Sequence, residues 1–126
     1  MAGFIRADVE KFPTRVLNMP INKELFYEFK VKCKQRGLPL NVVIEIFMNQ
    51  YAHGNYPLSE ENILKWKDNN GELDTLNSTF NKKIYNNFKN TVKIKGYFIR
   101  HVVAAFIEEY VNNDMTMEYV LEEKSE

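Results

Sequence analysis

One stretch of this chain is written twice, and the repetition constrains its fold more than its composition does. A gapless shift of 59 positions lays Leu17–Tyr51 on Leu76–Tyr110. Among the identical pairs are Leu17/Leu76, Asn18/Asn77, Asn22/Asn81, Lys23/Lys82, Phe29/Phe88, Lys30/Lys89, Gly37/Gly96, Val43/Val102, Phe47/Phe106 and Tyr51/Tyr110. Random pairing over that length gives about two identities at ordinary residue frequencies. Other positions keep their character, such as Leu25/Ile84, Phe26/Tyr85, Cys33/Val92 and Met48/Ile107. The period is longer than that of the common solenoids, and two copies are fewer than a solenoid needs. The pattern predicts a duplicated unit folded as a pair.

Both copies give the same local reading. From Thr14 to Ile21, Leu17, Met19 and Ile21 alternate with Thr14, Val16, Asn18 and Pro20, the period of a half-buried strand. Pro20 cannot donate a ladder hydrogen bond and is expected at the strand's end. Asn22 is a good helix cap, and Leu25, Phe26, Phe29 and Cys33 form one stripe of the helix that follows. Gly37 ends that helix, and Pro39 suits the first turn of a second one running to about Ala52, with Val42, Val43, Ile46, Phe47 and Tyr51 inward. In copy two, Thr75, Asn77 and Thr79 alternate with Leu76, Ser78 and Phe80, and Asn81 caps. Ile84, Tyr85, Phe88 and Val92 form the first stripe, and Val102, Val103, Phe106, Ile107 and Tyr110 the second.

The resulting organisation is one domain: repeat one over 14–52, a linker with a short helix over 53–73, repeat two over 74–112, and an acidic tail over 113–126. In the linker Ser59 precedes an amphipathic stretch, Glu60 to Lys67, whose Ile63, Leu64 and Trp66 need cover. Trp66 reads as a packing anchor rather than a base-stacking residue. Residues 1–13 read as an arm without clear period, and Met115–Glu126 as a helix with Met117, Val120 and Leu121 inward.

The net charge of zero hides a pattern. Residues 14–51 carry +3 and 75–111 carry +4, whereas 52–74 carry −3 and the tail from 112 carries −4. Basic repeats fit a polyanion partner, and they also fit ordinary solvated helix faces. No long apolar run or signal-like start is present, so a cytoplasmic protein without membrane contact is expected. The single cysteine, Cys33, excludes an internal disulfide, and its match to Val92 makes it a core residue. Two histidines do not support a metal site, and no cofactor is expected. Phosphate-cradling glycine loops, nucleophile elbows and His-Glu metal motifs are missing, and Glu108-Glu109 reads as a solvated helix face. The chain is expected not to be an enzyme.

One strand-helix-helix unit is too small to bury its apolar surface, and its lone strand has no partner for its backbone. Two copies solve both problems by pairing their strands antiparallel over four interlocked helices. The fold class expected is mainly α: a pseudo-dimer with a two-stranded antiparallel ribbon and four core helices, plus the linker helix and a C-terminal helix. With its alternating Leu17, Met19, Ile21, its stripe Leu25, Phe26, Phe29, the turn Arg36-Gly37-Leu38, the residues Val43, Phe47, Tyr51 and their mates 59 positions on, the chain resembles the ribbon-helix-helix family. The family comprises DNA-binding repressors, partition proteins and antitoxins of plasmids and phages. The fused arrangement is similar to tandem-repeat accessory proteins of conjugative-plasmid relaxosomes.

The resemblance implies a sequence-specific binder of double-stranded DNA whose ribbon enters the major groove. It implies that Val16, Asn18 and Pro20 of copy one and Thr75, Asn77 and Thr79 of copy two face the bases. Asn18 and Asn77 are the prime candidates, since asparagine can contact adenine in bidentate fashion. Backbone N–H groups at the start of each second helix, at Leu40 and Asn41 and at Ile99 and Arg100, would hold phosphates. The protein would be a monomeric pseudo-dimer, or a higher assembly on DNA. Family members commonly begin the second helix with Ser, Thr or Asn, where this chain has Leu38-Pro39-Leu40 and Tyr97-Phe98-Ile99. With the apolar Val16 and Pro20, this supports a second reading, the same fold reassigned to bind a protein partner, for example as an inhibitor of phage or mobile-element origin.

Overall fold

The computed structural model describes residues 13–68 and 71–112. They form β1 (Thr14–Asn22), α1 (Lys23–Arg36), α2 (Leu40–Ala52), α3 (Glu60–Asp68), β2 (Leu73–Asn81), α4 (Lys82–Ile94) and α5 (Ile99–Asn112). The described chain is thus mainly helical with one two-stranded antiparallel sheet. The expected arm over 1–13, apart from Pro13, and the C-terminal helix from Met115 lie outside the described residues.

The two strands pair through a register centred on Asn18 opposite Asn77. Shifting a pair by 59 positions returns another pair of the same ladder: Val16–Thr79 maps onto Pro20–Thr75, and Leu17–Ser78 onto Met19–Leu76. The ladder continues beyond both ends, with the Lys82 N–H donating to the Pro13 carbonyl and the Lys23 N–H to the Glu72 carbonyl. Those bonds fix the phase. Hydrogen-bonded and non-hydrogen-bonded pairs alternate along an antiparallel ladder, so the odd-numbered residues of β1 sit in hydrogen-bonded pairs and the even-numbered ones do not. Pro20 is therefore tolerated inside β1 rather than at its end, because its nitrogen points away from β2.

Each strand runs straight into a capped helix. The Asn22 side chain accepts from the Leu25 N–H at 2.9 Å, and Asn81 accepts from the Ile84 N–H at 3.1 Å. Both first helices stop at a glycine, Gly37 (φ 69°) and Gly96 (φ 81°), in the left-handed region where a side chain is strained. Pro39 lies one residue earlier than expected, as the extended residue just before α2.

The helices interlock across the repeats. α1 packs chiefly on α5 and α2 on α4, whereas the two helices within one repeat touch much less. The aromatic contacts repeat accordingly. Phe29 meets Tyr110 edge-on at 5.4 Å, and Phe88 meets Tyr51 at 5.7 Å. At the centre Phe47 and Phe106, mates in the duplication, stack at 4.2 Å with 11° between their planes. The inner ribbon residues Leu17, Met19, Ile21, Leu76 and Phe80 close this core from above.

Four expectations about the core and its surroundings change. Val42 is exposed and Ile84 only partly buried, while Ile44 and Met48 are fully buried. In α3, Ile63 and Trp66 are covered but Leu64 is not. Glu108 and Glu109 are not a solvated face: Glu108 accepts from Trp66 Nε1 at 3.2 Å and from Lys65 Nζ, and Glu109 accepts from the Tyr56 hydroxyl at 3.1 Å. These carboxylates hold the linker and α3 against α5. Cys33 is buried, and burial pushes its thiol up to about 11, which leaves it protonated and unreactive at neutral pH.

Candidate nucleic-acid interface

The alternation of the strands divides the ribbon into an inner and an outer face. All six outward candidates, Val16, Asn18, Pro20, Thr75, Asn77 and Thr79, are exposed on one surface. They form three directly opposed pairs, Val16–Thr79, Asn18–Asn77 and Pro20–Thr75, all of the non-hydrogen-bonded kind. Opposed residues in such pairs have Cα atoms about 4.5 Å apart, closer than in hydrogen-bonded pairs. The outer face is thus a compact strip two side chains wide and three long, with the duplicated asparagines in the middle.

None of the six is charged. Arg15, which neighbours the strip, turns to the inner side, where its guanidinium donates to Asn86 Oδ1 at 3.3 Å and lies 5.1 Å from the Tyr85 ring. Positive charge instead flanks the strip. Lys89 and Lys93 of α4 and Arg100 of α5 line an open cleft of about 420 Å³ against β1, together with Asn18 and Pro20 of the ribbon and with Tyr97, Phe98 and Ile99. Lys30 and Lys34 of α1 stand at the equivalent places of copy one. Sequence reasoning missed these lysines as site residues. The signal was there, since they recur at a spacing of four on exposed faces of both first helices, where packing makes no demand.

The starts of the two second helices are open in backbone terms. The Val42 and Val43 N–H groups donate to the Pro39 carbonyl, and those of His101 and Val102 to the Phe98 carbonyl. The N–H groups of Leu40, Asn41, Ile99 and Arg100 precede these bonds and have no intrahelical acceptor. The Leu40 and Ile99 side chains are partly buried against the core, and Ile99 also lines the cleft. Asn41 and Arg100 are exposed. Asn18, Pro20, Ile99 and Arg100 meet around one cleft; Leu40 and Asn41 belong to the opposite flank.

Apolar surface accompanies this polar geometry. Val16 is 59% exposed and Phe98 is 60% exposed, with the Arg100 guanidinium 5.3 Å from the Phe98 ring. Among the described residues no three His, Cys, Asp or Glu side chains gather to hold a metal ion, and no helix is long and apolar enough to cross a membrane. No protein-family model matches the chain, and neither curated proteins nor solved structures gave a match to it.

Proposed function

We propose that this chain is a single-chain ribbon-helix-helix protein, two fused copies acting as a pseudo-dimer, that binds double-stranded DNA sequence-specifically with its ribbon in the major groove. The observation that carries this reading is the register. It sets two copies of one asparagine face to face on an exposed, uncharged strip, flanked by lysines and by two helix starts with open N–H groups. A strip two strands wide fits the major groove, where base edges are distinguishable. Flanking cations and helix starts are what phosphate oxygens require on either side of it. Because the copies differ at their outward positions, the site would consist of two unequal half-sites.

A selection from random duplex DNA at two salt concentrations tests this. The protein is expected to enrich one sequence, to bind it less tightly as salt rises, and to lose about 1–3 kcal/mol for each of Asn18→Ala and Asn77→Ala. Binding with a flat salt dependence, or no binding to any duplex, counts against it. The exposed Phe98 favours a second reading, a protein-binding module. That reading predicts a stable protein complex unaffected by the two asparagine substitutions and weakened by Phe98→Ala.

A further inference from the structure

We infer that the outer face of the ribbon reads thymine methyl groups on both sides of an adenine-reading centre, so that the duplex it takes has an A·T-rich core. This rests on the DNA reading above and adds to it a class of base sequence. The carrying observation is that the strip combines one amide pair with two flanking pairs, Val16–Thr79 and Pro20–Thr75, each made of an apolar residue and a threonine. Nothing in the fold buries these groups: Val16 is 59% exposed, and Pro20 is exposed beside it on the same face.

In the major groove the thymine C5 methyl is the apolar group on a base edge, and alkyl side chains contact it. Opposite guanine or cytosine, Val16 and Pro20 would cover polar atoms without pairing them, which costs binding. They therefore favour thymine twice, by gaining contact with its methyl and by penalising its competitors. Guanine is further disfavoured because its usual partner, an arginine or lysine, is missing from the strip. Arg15, its neighbour along β1, is committed to Asn86 and Tyr85 on the inner side. Alternate residues of a strand are about 6.8 Å apart and base pairs rise about 3.4 Å, which places the flanking pairs about two base pairs from the centre.

The test uses the full-length protein and the duplex it selects, with thymines replaced by uracil, which lacks only the methyl. Affinity is expected to fall about fourfold for each contacted methyl lost, and about 15-fold for two. In Val16→Ser plus Pro20→Ser, with folding checked by its thermal melt, the thymine-to-uracil ratio is expected to fall close to one. Equal binding of thymine and uracil duplexes by the unaltered protein, or selection of a G·C core, overturns the inference and leaves the DNA reading standing. Failure to bind any duplex overturns both. The uracil comparison needs no variant, so misfolding of the double substitution does not protect the proposal.

Discussion

α2 and α5 hold the same place in the two repeats but have different surroundings. α5 packs against α3, which its Glu108 anchors through Trp66 and Lys65, and its Glu109 holds Tyr56 of the preceding loop. The equivalent positions of α2 are Asn49 and Gln50. His101 in α5 is 7% exposed, whereas its mate Val42 in α2 is 38% exposed. Where the helices face each other the comparison reverses, and Phe47 and Phe106 are identical and equally buried. A residue facing its own copy has to fit it, so the duplication is kept at the centre, where Phe47 meets Phe106. The contacts with the linker, which only α5 makes through Glu108 and Glu109, carry the difference between the two helices.

The sharpest way to break this picture is at the stacked pair. Phe47→Ala and Phe106→Ala are each expected to cost about 3–5 kcal/mol in urea unfolding, by similar amounts. The double substitution is expected to cost less than the sum, because the two rings share a contact. A large inequality between the single variants would mean that the core is not equivalent about its centre.

At the outer surface the same comparison predicts inequality. Given DNA binding, Arg100→Ala is expected to lower the slope of log affinity against log salt by about one, while Asn41→Ala leaves the slope unchanged. Equal slopes for both variants would remove the difference between the two flanks.

The smallest effect concerns the linker. Burial pushes the Glu109 carboxyl above its ordinary value of 4.5, with the Glu108 charge acting the same way and hydrogen bonds from Tyr56 and Asn62 opposing. A carboxyl with a raised folded pKa holds its proton more tightly in the folded state, so its contribution to stability falls as pH rises from 4.5 through the folded value. Glu109→Gln is expected to remove that part of the pH dependence. The check is the difference between the melting temperatures of the two proteins at pH 4.5 and at pH 7, and identical shifts would show that Glu109 does not titrate in this range.

The strands, both asparagine caps and both glycine stops were legible because they depend on local rules, and because two copies gave the same answer. The second helices were less legible. In α5 residues 101–107 are buried without interruption, since α1, α3 and the ribbon all contact the helix, and the helical period disappears. Tyr56 left no periodic trace either. It is buried between Phe47, Phe106 and Glu109, on a loop whose path only the tertiary structure determines. Among the candidate site residues, the exposed face followed from strand alternation alone. Pairing register and the cleft beside Arg100 did not, because both depend on where one copy meets the other.

The placement of Pro20 has a consequence for self-association. A two-stranded ribbon consists entirely of edges, and outward N–H groups invite a further strand from another molecule. At the Pro20–Thr75 pair both outward donors are withdrawn: proline has none, and the Thr75 N–H is taken by the carboxylate of Asp74 at 2.7 Å. A third strand growing along either side loses its hydrogen bond at this point, so the same end of the ribbon resists sheet-like aggregation while its outer face stays open.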